Sequence, residues 1–402
     1  MVRKLGVLCT HPIQYYAPLF RHLASDPSLD TTVYYCRRPT SKEQGEGFGV
    51  SFDWDVDLTS GYKHVWLENQ VRSSDLLDFY GYDTPEITDI IAKERFDAFL
   101  VFGWHTRSMW QAMRACWKIG TPLLVRGDSH LRVPISRFKR LAKEISHRYF
   151  IPRFSACLAV GRWSEEYFAY YGARRIVRSP HFVDNDWFAG ESLKAKSLRS
   201  GFRESFGIPE EATVFLFAGK FEEKKRPMDL LWALKRLIEG GVSRMEMRLL
   251  MVGDGILKPS CEQFAKTHDL PAAFTGFLNQ TAMPMAYAAS DVLVLPSDGR
   301  ETWGLVVNEA MACGLPAVAS DKAGCGPDLV KEGETGFIFP CGDTEALAGK
   351  MDRLTRGSLA GTMGRNCSQR IADYSVERAA CGILDAVRWC ENGGKRRASN
   401  GA

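Results

Sequence analysis

The chain has 402 residues, enough for two or three domains at ~100–200 residues each. Its 45% hydrophobic and 25% charged content is that of a globular protein, and its net charge of +4 gives no reason to invoke nucleic acid as a partner. Eleven dispersed cysteines with no Cys-x-x-Cys pair argue against a disulfide framework or a zinc site, and for reduced thiols in a cytoplasm.

In chain order, Leu5 to Cys9 is too short an apolar run for a signal peptide and reads as a first buried strand. Thr31 to Cys36, Ala98 to Phe102, Leu123 to Val125 and Cys157 to Val160 read as further strands, with helical patterns such as Pro18 to Ala24 and Thr84 to Lys93 between them. Such alternation predicts a parallel sheet covered by helices on both faces. Asp184 to Glu211 is mixed in charge, lacks a long apolar run and reads as an interdomain connection. A second α/β pattern follows: strands at Thr213 to Phe217, Met247 to Val252, Ala317 to Ala319 and Gly336 to Phe339, a helix at Pro227 to Glu239 and another from Thr344. A final helical stretch at about Val376 to Trp389 precedes a polar, basic tail, 392–402, that reads as disordered. No apolar stretch approaches the ~18 residues of a membrane span.

The most informative segment runs from Ser297 to Ala310. It follows an apolar run that ends at Pro296 and leads into a helical pattern stopped by Gly314 and Pro316. Glu301 and Glu309 therefore stand at a strand-to-helix transition, at a spacing suited to gripping two ends of an elongated ligand. Between them Gly304 exposes backbone N–H groups near a helix start, which suits an anion. The spacing alone equally fits an acidic turn that complements a helix dipole. Upstream, the basic turn Lys220-Phe221-Glu222-Glu223-Lys224-Lys225-Arg226 ends another strand, where ligands bind in open parallel sheets. It could also be a solvated turn.

Glu301-x7-Glu309 with its Pro-Ser and Glu-Ala-Met-Ala-Cys-Gly flanks resembles the signature of the family 4 retaining glycosyltransferases (glycosyl transferases group 1). Val252-Gly253-Asp254-Gly255, Phe274-Thr275-Gly276-Phe277, Pro316 to Ser320 and Glu332 to Phe337 follow in the family's order. The similarity is strong over about Val214 to Leu347 and looser upstream. It implies the GT-B fold: two Rossmann-like domains facing across a cleft, 1–190 for the acceptor and 191–372 for the nucleotide sugar, with a final helix, 373–391, crossing back onto the first. It further implies that Lys220 and Lys225 bind the donor diphosphate, with Lys220 standing where Arg is commoner. Glu309 would accept ribose hydroxyls, Glu301 would lie by the donor sugar, and the Gly304–Leu305 backbone by the phosphates. Gly253 would permit a tight turn near the donor, and Phe277 would lie where the base is held. His105 matches the histidine that contacts the reacting sugar. Gln14 and Tyr15 are acceptor-side candidates, because the Gly-rich loop of many relatives is missing here; Asp128, where Arg126-Gly127-Asp128 ends another strand, is a further one or simply part of a turn.

The resemblance implies transfer from a nucleoside diphosphate sugar, UDP-linked, to a glycan or lipid-linked acceptor without a metal, in polysaccharide or glycolipid synthesis. Asp184-Asn185-Asp186 has the form of a metal motif but reads more simply as the opening of the interdomain connection. A phosphorylase on the same fold and a non-catalytic nucleotide-sugar-binding protein are the rival readings. A dehydrogenase lacks its full glycine fingerprint here. Finally, 132–153 carries seven Lys or Arg against one Glu, with Ile135, Phe138, Leu141, Ile145 and Tyr149 near helical spacing. This fits a helix lying on the anionic inner face of a membrane, or equally an ordinary helix packed on the sheet with a solvated basic side.

Overall fold

The computed structural model describes residues 2–70, 79–355 and 359–399. Two parallel sheets account for its strands. The first comprises β1 (Arg3–Cys9), β2 (Leu29–Tyr35), β3 (Lys63–Trp66), β4 (Ala98–Phe102), β5 (Leu123–Gly127), β6 (Ala156–Ala159) and β7 (Ile176–Arg178), in the order β3-β2-β1-β4-β5-β6-β7. The second comprises β8 (Thr213–Ala218), β9 (Met247–Val252), β10 (Ala272–Gly276), β11 (Val292–Leu295), β12 (Ala317–Ser320) and β13 (Gly336–Phe339), in the order β10-β9-β8-β11-β12-β13. In each, the strand order reverses beside the first strand, so a crevice opens at the carboxyl edge there.

The central strands are apolar on both faces because helices cover both faces. Along β4, Ala98, Leu100 and Phe102 enter one core cluster, whereas Phe99 and Val101 enter the other. The first of these clusters also contains Val376, Ala379, Ala380, Ile383 and Val387, so the closing helix Val376–Ser399 packs against the first sheet. Its backbone stays helical to Ser399, through most of the segment read as a disordered tail; residues 400–402 lie outside the described ones. Lys395, Arg396 and Arg397 are good helix formers and continue an existing helix.

The segment read as an interdomain connection is helical, Asn185–Ala195 and Arg199–Ser205. Phe188, Trp187, Phe202 and Phe206 pack into the second domain's core. These rings are interleaved with charges, so they make no continuous apolar run. Asp184 caps the first of these helices, its Oδ1 accepting the Trp187 N–H at 3.0 Å. Among the described residues no helix is long and apolar enough to cross a membrane.

Candidate active site

The two carboxyl edges face each other, and the expected donor residues gather on the second. Glu301 lies in the loop after β11, and the helix Leu305–Ala312 begins at Gly304, whose φ is +105°. Glycine is required there twice over: the backbone is left-handed, and a Cβ would stand 2.5 Å from Leu295 Cδ2. The first turn of that helix leaves N–H groups without intrahelical partners, directed at the same loop. Glu301 forms an ion pair with Lys225 and accepts a hydrogen bond from Ser297 Oγ at 3.3 Å. Both partners are mostly enclosed, 13% and 15% exposed, so this charge pair is shielded from bulk solvent. Gly253, at φ +126°, ends β9 so close to β8 that a Cβ would overlap the Gly219 carbonyl.

Glu309 is buried within that helix, 3% exposed. Its Oε1 accepts from Tyr15 OH at 2.7 Å and its Oε2 from Tyr287 OH at 2.5 Å. Burial raises its pKa from 4.5 to about 7, against the lowering effect of the two phenol hydrogen bonds. Tyr15 belongs to the first domain. The structure therefore places it, and Gln14 beside it, in a crevice with Glu309, Gly253 and Phe277, among the residues expected to hold the donor. Lys220 also reaches across, donating to the Glu46 carbonyl at 2.5 Å and standing 5.0 Å over the Phe48 ring. Desolvation lowers its pKa.

A separate cavity of about 240 Å³ opens in the first domain, lined by Tyr16, His105, Arg126, Asp128 and His181 among others. His105 follows β4; desolvation lowers its pKa, against the raising effect of Asp128. Asp128 Oδ2 accepts from Thr302 Oγ1 at 2.7 Å, so it stands across the interface from the residue next to Glu301. Sequence reasoning missed Arg126, a buried guanidinium that donates to Pro180 O at 2.8 Å and Ser179 Oγ at 3.3 Å. The available signal was an arginine inside the buried run Leu124-Val125-Arg126-Gly127. His181 and Thr302 carried no such signal.

The domains meet closely around these sites. Asp328 of the second accepts from the Arg162 N–H at 2.9 Å and from Arg178 Nη2 at 2.6 Å in the first. A Cβ on Gly161 would overlap the Trp303 ring. At Gly299, two residues before Glu301, it would touch Arg132 O at 3.6 Å and Pro134 Cδ at 3.7 Å. The segment leading into the basic helix Arg137–Phe150 thus abuts the Glu301 loop. Among the described residues no three His, Cys, Asp or Glu gather as a metal site.

Residues 199–371 match the family model described as glycosyl transferases group 1. The second domain belongs to that family. Over 182 residues the chain is 44% identical to sulfoquinovosyl transferase SQD2 of Arabidopsis thaliana, covering 43% of this chain and 33% of that protein. Over 198 residues it is 31% identical to D-inositol 3-phosphate glycosyltransferase of Rhodococcus erythropolis, covering 47% and 44%. The matches thus span less than half the length of these relatives. Among solved structures, a glycosyltransferase from Rickettsia africae ESF-5 has a TM-score of 0.74 at 15% identity, covering 97% of this chain and 98% of that one. Anabaena Alr3699/HepE in complex with UDP-glucose has a TM-score of 0.66 at 18% identity, covering 96% and 99%. At these identities the likeness shows the fold, and the fold is GT-B. Lys220, Lys225, Glu301 and Glu309 lie inside the matched family domain, whereas His105 and Asp128 lie outside it.

Proposed function

We propose that this chain is a retaining glycosyltransferase that moves a sugar from a nucleoside diphosphate sugar, UDP-linked, to a glycan or lipid-linked acceptor. The observation that carries this reading is the gathering of Lys220, the Lys225–Glu301 pair, the Gly304 helix start and Glu309 at one sheet edge, opposite His105 and Asp128. In the proposed reaction the bond from the anomeric carbon to the diphosphate oxygen breaks, leaving an oxocarbenium-like sugar and a diphosphate. The acceptor hydroxyl adds on the face the diphosphate leaves, and its proton passes to the departing phosphate oxygen. Lys220, Lys225 and the helix N–H groups stabilise the growing phosphate charge in place of a metal ion, a role in which fixed positive charge is effective. His105 hydrogen-bonds the reacting sugar.

Calorimetry with UDP tests the donor side. Lys225→Ala and Glu309→Ala each remove a contact to a charged group, which costs ~1.5–3 kcal/mol, or about ten- to a hundredfold in affinity. Unchanged UDP affinity in both variants would sink the site assignment.

A lipid-linked acceptor is favoured by one further observation. The helix Arg137–Phe150 buries His147 and Phe150, while its apolar stripe points outward: Phe138 is 87% exposed, Leu141 61%, Ile145 67% and Tyr149 60%. An inward-packed stripe is thereby excluded. Arg137, Lys139 and Arg140 flank it, which is the pattern of a helix lying on an anionic bilayer at the inner face of the membrane. The wild type should sediment with anionic vesicles at low salt and be released as salt rises; Gln at Arg137, Lys139, Arg140 and Lys143 should abolish this and spare UDP binding. Indifference to anionic vesicles at low salt would make a soluble acceptor the better reading.

A further inference from the structure

The segment Glu46–Asp55 lies between β2 and β3 of the first domain, where Ser41 and Gln44 donate to Asp53 at 2.8 and 3.0 Å, yet it also makes contacts to the second. Glu46 O accepts from Lys220 Nζ at 2.5 Å, Asp53 O from Asn279 Nδ2 at 2.7 Å, and the Asp55 carboxylate from the Thr281 N–H at 3.2 Å. Two of its rings close on Phe277, the Phe52 centroid 4.3 Å and the Phe48 centroid 4.9 Å away, and Trp54 packs on Phe52 at 5.0 Å. Phe48 and Trp54 line the crevice that also holds Glu309, Gly219 and Gly253. That crevice measures about 90 Å³, well below the ~300 Å³ at which ligand pockets begin. A nucleoside needs more room than the crevice has here, and Phe48 and Trp54 occupy one wall of it. Gly47 and Gly49, at φ +81° and +73°, give the tip of the segment the backbone freedom to swing away.

We propose that Glu46–Asp55 is a flap over the nucleoside crevice. Phe48 and Trp54 supply aromatic faces to the base of the donor nucleotide, and Lys220 is the latch that exchanges the Glu46 carbonyl for a phosphate oxygen. The proposal rests on the donor-site reading above. It makes the first domain, through aromatic side chains, part of the donor site. Bases stack on aromatic rings with little regard to sequence, so the flap adds affinity for any nucleoside diphosphate.

The test compares UDP, GDP and ADP with inorganic pyrophosphate, which has the charge and no base, by calorimetry on the full chain. Phe48→Ala and Trp54→Leu should each weaken nucleoside diphosphate binding about tenfold or more and leave pyrophosphate unchanged. Phe48→Leu, which keeps the bulk, separates loss of stacking from loss of folding. Bound UDP should also change amide exchange across residues 46–55. Equal loss for UDP and pyrophosphate, no loss for either, or exchange that ignores UDP overturns the flap. If Glu309→Ala loses UDP while the flap variants keep it, the flap falls and the donor site stands. A wild type that binds none of the nucleoside diphosphates overturns both.

Discussion

Replacing Glu309 by Gln should make the protein more stable above neutral pH and abolish part of its pH dependence. The carboxyl is enclosed and its pKa is raised from 4.5 to about 7, chiefly by burial. Between those values the folded state holds a proton that the unfolded chain releases. Stability attributable to this group therefore falls as pH rises from 4.5 to 7, and the full cost of burying the carboxylate is present above 7. That displacement corresponds to roughly 3 kcal/mol. Glutamine is neutral at every pH, close in shape, and can still meet the hydroxyls of Tyr15 and Tyr287. Urea unfolding of wild type and Glu309→Gln at pH 5 and pH 8 gives the quantity directly. The stability difference should be small at pH 5 and approach ~3 kcal/mol in favour of Gln at pH 8. Titration of His11 and His147 is common to both proteins and cancels in the difference. A difference independent of pH would refute the reasoning and show that Glu309 is ionised throughout.

Turnover should persist in excess EDTA, since Lys220 and Lys225 carry the positive charge at the diphosphate; an enzyme silenced by chelation and restored by Mg²⁺ or Mn²⁺ refutes this. Gly161→Ala should push the domains apart, because its backbone is extended at φ −176° and tolerates any residue while its new methyl meets the Trp303 ring. Small-angle scattering should show a larger radius of gyration, and adding Trp303→Ala should restore the smaller one; an unchanged radius in the single variant counts against the close contact. His147 is held down to about 4 by burial, so its contribution to stability is present above pH 6.5 and lost as pH falls toward 4. His147→Gln should flatten acid unfolding in that window, and an identical acid limb would show that His147 is already solvated.

Much of the fold is legible because β4 and the greater part of β1, β8 and β9 are short apolar runs bounded by turn residues, as strands of a sheet covered on both faces are. The positions proposed for the donor are legible as a group because Glu301, Gly304, Glu309 and Lys225 fall within one short stretch or one turn, where local spacing has geometric meaning. Contacts between the domains leave no such trace. Tyr15 and Glu309 are 294 positions apart, and nothing local to either announces the other. The same is true of Thr302 with Asp128 and of Phe52 with Phe277. β3, half exposed and lacking an apolar run, and Arg203, buried and paired with Asp291, were unreadable for a related reason. The partners that make each of them sensible lie far along the chain.

The closeness of Arg132 and Pro134 to Gly299, where even a methyl would touch them, sets the Glu301 loop at the foot of the basic helix. If that helix rests on a bilayer, the cleft mouth opens beside the lipid headgroups, and an acceptor reaches it by lateral diffusion without leaving the leaflet. Initial rates would then follow the mole fraction of acceptor in the membrane. Diluting the acceptor with inert anionic lipid at constant total acceptor would slow the enzyme, whereas diluting the whole suspension with buffer, with the enzyme still bound, would not.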